Sequence, residues 1–232
     1  MDLKAILDLN TKAVKLREAG QLTEALTLFF QIESQLPSLQ SSTNKSDWDQ
    51  FVGLTGELFI TYRHQSKDTL QKTLDKAQEV YKWAKTTGIT GQYLSYAIRG
   101  ISSALLDQNR YEEAEPYLKE MLANMDSQNS AYVGDTEAHL AGCLLRQGKL
   151  EEAKKIITGA LQKIDQNMAN MDAMPTAVWK SHALLVKALI VNSEGNKQQA
   201  IAILEEALTL AKSKNLSVRI SEISSKLAWI KS

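Results

Sequence analysis

The sequence predicts an all-α protein, a stack of antiparallel helix pairs, and three observations support this. Helix breakers are rare, with 3 prolines and 11 glycines among 232 residues, and Ala, Leu, Lys, Glu and Gln, which favour helices, are abundant. Alternating Val, Ile and Thr segments bounded by Asn-Gly or Asp-Gly turns, the marks of β-hairpins, are missing from the sequence. A similar segment also recurs along the chain, which is typical of repeat architectures.

The recurring segment is a short turn that leads into a helix. Its copies read Ala19-Gly-Gln-Leu-Thr-Glu-Ala25, Gln108-Asn-Arg-Tyr-Glu-Glu-Ala114, Gln147-Gly-Lys-Leu-Glu-Glu-Ala153 and Glu194-Gly-Asn-Lys-Gln-Gln-Ala200. Each copy has a glycine, or Asn109 in its place, that tolerates positive φ where one helix ends and the next begins. The closing alanine is small enough to let two helices approach closely.

Apolar residues at three- and four-residue spacings flank each turn. Ile98, Ile101 and Leu105 precede the second copy, and Leu118 and Leu122 follow it. These spacings predict amphipathic helices. Because one pair cannot bury both apolar stripes alone, the pairs are expected to stack on each other.

A weaker copy lies between the first and the second. Gly56 is the expected small residue of its first helix, and its turn, residues 63–68, departs from the pattern. With this copy the chain holds about five pairs. A final helix over residues 216–230 is expected to cap the stack, as repeat arrays require.

The first copy carries the fullest set of matches to a known family. The matching positions are Leu9, Ala13, Leu16, Gly20, Ala25, Phe29, Ile32 and the terminating Pro37. With these residues the segments resemble tetratricopeptide repeats, although Lys12 stands where that family has an apolar residue. Residues 111–119, which include a proline early in the second helix, further resemble the longer repeats of kinesin light chains.

The resemblance implies a right-handed superhelical stack, a TPR-like α-solenoid, of about five pairs and a C-terminal capping helix. A single helical repeat domain is expected over residues 1–232. Its approximate repeats are 4–37, 46–87, 91–125, 131–166 and 176–213. Successive copies are spaced 48, 41, 39 and 47 residues apart, counted from Leu22, Leu70, Tyr111, Leu150 and Lys197. These spacings are longer than the ~34 residues of a standard repeat, and the extra residues fall in polar stretches between repeats.

Composition argues against several classes of partner. Lys plus Arg and Asp plus Glu are both 27, so a net charge of zero gives no field that would attract nucleic acid or an anionic membrane. No apolar run approaches the roughly 18 residues of a membrane helix, and no secretory signal is visible. The single cysteine, Cys143, excludes an internal disulfide. We expect a cytoplasmic protein.

No constellation of catalytic residues is visible, so the chain is expected to be no enzyme and to bind no cofactor. His64, His139 and His182 fall in separate repeats and form no His-Glu-x-x-His unit, so no metal site is predicted. Cys143 lies in an apolar run and is interpreted as a buried, inert thiol. Paired glutamates at helix starts are explained by capping and by the helix dipole.

Methionines and tryptophans have two interpretations each. Met168, Met171 and Met174 share one helical face and either continue a buried stripe or form an adaptable contact surface. Trp48 and Trp179 stand near the starts of first helices, where they either wedge between repeats or contact a ligand. The structural interpretation is favoured for both groups.

The family resemblance implies that the first helices of the pairs line a concave groove where a partner binds. The candidate binding residues are Asn10, Arg17, Gln50, Glu57, Tyr96, Arg99, Ser103, Asp135, Arg146, His182 and Asn192. The arginines are donors suited to carboxylates, and Tyr96 is a candidate anchor. Asn10 and Val14 occupy the first places of the family's carboxylate clamp, which this sequence therefore does not support.

The leading hypothesis is a non-enzymatic scaffold that binds a peptide or helix of another protein in this groove. A regulatory module that changes curvature on binding a signal peptide is an alternative. A third hypothesis is a structural homo-oligomer that associates through a final helix containing Trp229.

Overall fold

The computed structural model describes residues 2–62, 67–125, 130–167 and 173–232. These residues form twelve helices and no strand. The helices are α1 (Leu3–Glu18), α2 (Leu22–Glu33), α3 (Leu36–Gln40), α4 (Lys45–Tyr62), α5 (Lys67–Thr86), α6 (Gly91–Asp107), α7 (Tyr111–Asn124), α8 (Ser130–Arg146), α9 (Leu150–Asn167), α10 (Ala173–Ser193), α11 (Lys197–Ser213) and α12 (Ser217–Lys231). The predicted all-α fold of five helix pairs followed by a final helix is confirmed.

Packing divides the chain into two compact units, Met1–Met125 and Asp126–Ser232. In unit 1 the pairs are α1/α2, α4/α5 and α6/α7, and the short helix α3 packs on α4. In unit 2 the pairs are α8/α9 and α10/α11, and α12 packs on α10 and α11. The expectation of one domain over residues 1–232 stays a prediction.

The four turns of the recurring segment have the predicted backbone conformation. Gly20, Asn109, Gly148 and Gly195 have φ angles of 80°, 58°, 76° and 84°. In each turn the next backbone N–H donates to a carbonyl in the last turn of the preceding helix, as Gln21 does to the Leu16 oxygen at 2.9 Å. This left-handed cap provides hydrogen-bond donors for carbonyl groups that have no partner within the helix at its C-terminal end.

Small residues set how closely the helices pack. The alanine that closes each predicted turn segment is fully buried in all copies, Ala25, Ala114, Ala153 and Ala200. A Cβ atom added to Gly56 would lie 3.1 Å from the Tyr96 carbonyl oxygen, so this glycine lets the backbones of α4 and α6 approach.

The linker after the first pair differs from the expected polar stretch. Pro37 does not simply end a helix but lies in the first turn of α3, where its missing N–H costs no hydrogen bond. Leu36 and Leu39 of this short helix are buried. Apolar residues inside the linker therefore anchor it to the core.

Several sequence-based interpretations concern residues outside the described ranges. They include His64, most of the degenerate turn at 63–68, and Met168 and Met171. The third methionine of that stripe, Met174, is half-buried in α10. Cys143 is buried in α8, as the apolar run around it predicts.

Candidate functional site

Candidate residues of unit 1 join its first helices through a charged cluster. The Arg17 side chain of α1 lies 3.0 Å from the carboxylate of Glu57 in α4 and 3.0 Å from that of Glu18. It also donates to the Thr61 hydroxyl at 3.2 Å. Arg17 is only 6% exposed, so its guanidinium binds within the protein and holds α1 against α4.

Arg99 of α6 contributes to the same cluster. Burial alone would raise the pKa of Glu57, but the charges of Arg17 and Arg99 outweigh it and hold that pKa below the usual value. Glu57 is therefore an ionised group between two cations that come from the helices on either side of it. The cluster links α1, α4 and α6.

Tyr96, the candidate anchor, is packed rather than fully presented to solvent. Its hydroxyl accepts a hydrogen bond from the Gln92 side chain at 2.5 Å, and its ring meets Tyr93 edge-on at 6.0 Å. A Cβ atom added to Gly53 would touch the Tyr96 ring at 3.7 Å. Burial raises the pKa of the Tyr96 hydroxyl. Among the other candidates of unit 1, Asn10 and Gln50 are half-buried and Ser103 is buried.

Unit 1 also holds an apolar cavity of about 520 Å³ between α2, α3, α4 and α5. Phe30, at its edge, is 54% exposed. The Tyr62 hydroxyl donates to the Glu33 carboxylate at 2.6 Å across this opening, and burial together with Glu33 raises the pKa of Tyr62. No sequence signal pointed to this cavity, because the wider spacing after the first pair indicates only a longer linker.

In unit 2 a second cavity lies where α12 packs on α10, beside α8. It encloses about 360 Å³, and the residues lining it, here called the Trp229 surface, are Leu145, Arg146, Leu189, Ser193, Lys226 and Trp229. The Trp229 side chain is 60% exposed, which makes it the most exposed large apolar residue among those described. Neither Arg146 nor Lys226 forms an ion pair with another residue that the structure describes.

Sequence reasoning finds this surface only in part. Arg146 is one of the predicted binding residues, and another, Asn192, lies half-buried next to Ser193 on α10. Lys226 is not among them, because the pattern of the final helix indicates a cap. The signal that could have found it is the spacing of Lys226 and Trp229 at i and i+3, which places both on one face of α12.

The remaining candidates of unit 2 meet between α8 and α10. Asp135 and His182 are both buried, and the Asp135 carboxylate lies 3.7 Å from His182 Nδ1 and 3.9 Å from Nε2 of His139. The two imidazole rings are 4.1 Å apart between centroids. Although the histidines fall in separate repeats, as the sequence indicates, stacking of those repeats brings two of them into contact.

The two tryptophans near the starts of first helices, Trp48 and Trp179, lie against neighbouring aromatic rings. Trp179 of α10 is 6.0 Å from Tyr132 of α8, which places it between two adjacent pairs. Trp48 packs edge-on against Trp83 of its own pair and donates to the Ser42 carbonyl at 2.7 Å. No helix in the described part of the chain is both long and apolar enough to cross a membrane.

Comparison with known proteins agrees with this architecture. Residues 105–174 and 181–214 match models of the tetratricopeptide repeat, whereas no curated protein matches the sequence. The fold is similar to crystal structures of nearly identical TPR-like repeats from a Podosopora anserina kinesin light chain-type protein. One of these, a form with a single substitution, is 16% identical, with a TM-score of 0.57 over 92% of this chain and 99% of that one.

A second structure of those repeats, without the substitution, is 17% identical. It has a TM-score of 0.56 over 90% of this chain and 96% of that one. At this identity the likeness concerns the fold, and the repeat matches add the sequence pattern. Residues 105–174 and 181–214 of this chain therefore carry the sequence pattern of tetratricopeptide repeats, and the fold as a whole is similar to that of the two repeat structures.

Proposed function

We propose that this protein is a non-enzymatic interaction module that binds a peptide or helix of a partner protein. Tetratricopeptide repeats generally mediate protein–protein interactions, and stacked repeats offer extended surfaces for them. Within this chain we assign the main contact to the Trp229 surface of unit 2. The single buried cysteine fits a reducing, cytoplasmic compartment.

The observation that carries this assignment is an exposed indole beside two cations. Trp229 is 60% exposed at the edge of a cavity that also presents Arg146 and Lys226. Trp and Arg dominate the binding energy of many interfaces, and a guanidinium pairs well with a carboxylate. The chemistry fits a segment that carries an apolar side chain next to an acidic group.

The predicted groove of unit 1 is a weaker candidate for the binding site, because its arginines already interact with groups of the protein itself. The Arg17 guanidinium contacts Glu57, Glu18 and Thr61, and Arg99 contributes to the field at Glu57. A partner carboxylate would have to compete with these buried contacts. The predicted groove residues of unit 1 are therefore a secondary candidate.

The test is affinity capture from lysate with three variants beside the wild type. Trp229→Ala/Arg146→Glu removes the proposed anchor and reverses one charge. Phe30→Ala/Lys82→Glu is the matched control, because it also removes an exposed aromatic ring and reverses an exposed cation, but in unit 1. Tyr96→Ala/Arg99→Glu tests the predicted groove of unit 1. Circular dichroism melts verify that each variant folds.

The proposal expects one partner that is retained by the wild type and the Phe30/Lys82 control and lost with the Trp229/Arg146 variant. Loss with the Tyr96/Arg99 variant alone would move the site to unit 1 and refute the Trp229 surface. Equal recovery by all four proteins would contradict both locations.

Self-association through α12 is the second candidate, because the exposed Trp229 is also the kind of residue that buries itself in a dimer. Light scattering over a range of concentrations tests it. A dimer in the wild type that Trp229→Ala abolishes would support it, and a monomer at every concentration would refute it.

A further inference from the structure

We infer that Asp135, His139 and His182 form a binding site for one divalent transition-metal ion of the Zn²⁺ type. The inference is independent of the proposed peptide binding. It rests on the placement of three ligand atoms, on their chemical type and on their surroundings between α8 and α10.

The backbone places the three side chains together for a simple reason. Asp135 and His139 are four residues apart on α8 and therefore share one face of that helix. His182 comes from α10, which packs on α8. One ligand atom from each residue lies within 4.8 Å of the other two.

The spacing suits an ion better than a direct hydrogen bond. The Asp135 oxygen lies 3.7 Å from His182 Nδ1 and 3.9 Å from His139 Nε2. Both distances exceed the ~3.2 Å limit of a good hydrogen bond. Ligand atoms around a tetrahedral Zn²⁺ with bonds of ~2.0–2.1 Å are roughly 3.3–3.4 Å apart. Small side-chain rotations would therefore bring these atoms to coordination distance.

The donor types narrow the choice of metal. Two imidazole nitrogens and one carboxylate oxygen are ligands that Zn²⁺ and neighbouring transition metals accept. Mg²⁺ and Ca²⁺ prefer oxygen ligands only, so they fit poorly. Three protein ligands leave a fourth position for water or for a group of a partner molecule.

Packed side chains flank the cluster on both sides along α8 and α10, while one of its three candidate ligands remains accessible to solvent. One turn before it, Tyr132 and Trp179 pack against each other, 6.0 Å apart between ring centroids. One turn after it, a Cβ atom on Gly142 would meet Val186 at 3.5 Å. The His139 side chain is 27% exposed, so an ion has a path from solvent.

The test is zinc titration of the full chain by calorimetry, with a tag that contains no histidine. We expect one Zn²⁺ per chain in the wild type. His139→Ala and His182→Ala should each weaken binding at least about 100-fold, since even outer partners of metal ligands are worth 10–100-fold. His64→Ala is the matched control, because it removes the only other histidine, and it should leave affinity unchanged.

Two further measurements keep the result interpretable. Zn²⁺ should raise the melting temperature of the wild type and of His64→Ala but not of the ligand variants, because an ion that binds only the folded state stabilises it by mass action. Co²⁺ substitution should give visible d–d absorption without a thiolate charge-transfer band, since Cys143 is not among the ligands.

The inference is wrong if the wild type binds no ion stoichiometrically. It is equally wrong if His139→Ala and His182→Ala bind as tightly as the wild type, or if His64→Ala weakens binding as much as they do. If His182→Ala fails to fold, His139→Ala, which changes a partly exposed side chain, and the conservative Asp135→Asn are compared with the wild type instead.

Discussion

The Arg17 guanidinium of α1 lies 3.0 Å from the Glu57 carboxylate of α4, so a single ion pair connects the first helices of the first two pairs. The same nitrogen donates to the Thr61 hydroxyl at 3.2 Å. With Arg17 only 6% exposed, solvent competes little for this contact. The sequence predicts that both residues contact a partner, but their observed contacts are within the protein.

Removing this guanidinium should destabilise unit 1. Arg17→Met keeps much of the side-chain volume but leaves Glu57 with one cation fewer in a partly buried place, so we expect a loss of about 2–3 kcal/mol in the free energy of unfolding. Lys12→Met is the control, because Lys12 is exposed on the same helix. It should change stability by less than about 0.5 kcal/mol. Urea unfolding followed by circular dichroism measures both, and equal values would contradict the structural role of the pair.

Glu57 should make stability depend on acid pH. Because Arg17 and Arg99 hold its pKa in the folded protein below the ordinary value of 4.5, the unfolded chain binds the proton more readily. Its contribution is therefore full above pH 4.5 and is lost as pH falls through the lower pKa of the folded state. The difference in unfolding free energy between wild type and Glu57→Gln should be largest at neutral pH and should shrink as the pH falls below 4.5. If the difference instead grows on acidification, the pKa of Glu57 is raised in the folded protein, and the prediction is wrong.

Gly134 should not tolerate a methyl group. A Cβ atom there would lie 2.6 Å from the Ala160 carbonyl oxygen and 2.8 Å from Ile164 Cγ1, so α8 and α9 would have to separate. We expect Gly134→Ala to cost about 1–3 kcal/mol, measured by thermal or urea unfolding.

The matched control for that change is Gly159, which lies inside α9. A Cβ atom there has no atom within 4 Å, and its backbone is helical. Alanine is a better helix former than glycine, so Gly159→Ala should stabilise the protein by about 0.5–1 kcal/mol. If both glycine substitutions shift stability in the same direction, close packing at Gly134 is not the cause.

A substitution at Gly148 tests the effect of backbone strain in the absence of steric crowding. Its added Cβ atom also meets nothing within 4 Å, yet its φ of 76° lies in the left-handed region. Gly148→Ala should therefore cost about 1–2 kcal/mol through strain alone, in contrast to Gly159→Ala. A neutral result would mean that the turn relaxes without that φ angle.

The turns and helices could be predicted because their causes are local. Glycine or Asn109 at positive φ ends a helix through contacts within a few residues, and the apolar spacing around it marks the buried face. Two comparable turns are not among the predicted copies, one at Gly88 with φ 76° between α5 and α6 and one at Asn215 with φ 55° between α11 and α12. Asparagine adopts this conformation less often than glycine and gives a weaker signal.

The sites were less predictable because they depend on how helices pack. Periodicity and turn residues act over short distances, so the amino-acid sequence alone was enough to predict an all-α chain of five helix pairs and a final helix. The three-dimensional packing was needed to learn that Arg17 faces Glu57, that His139 meets His182 beside Asp135, and that Trp229 joins Arg146. The physical reason is that contacts between residues far apart in the chain follow from the register of packed helices, which no local pattern encodes.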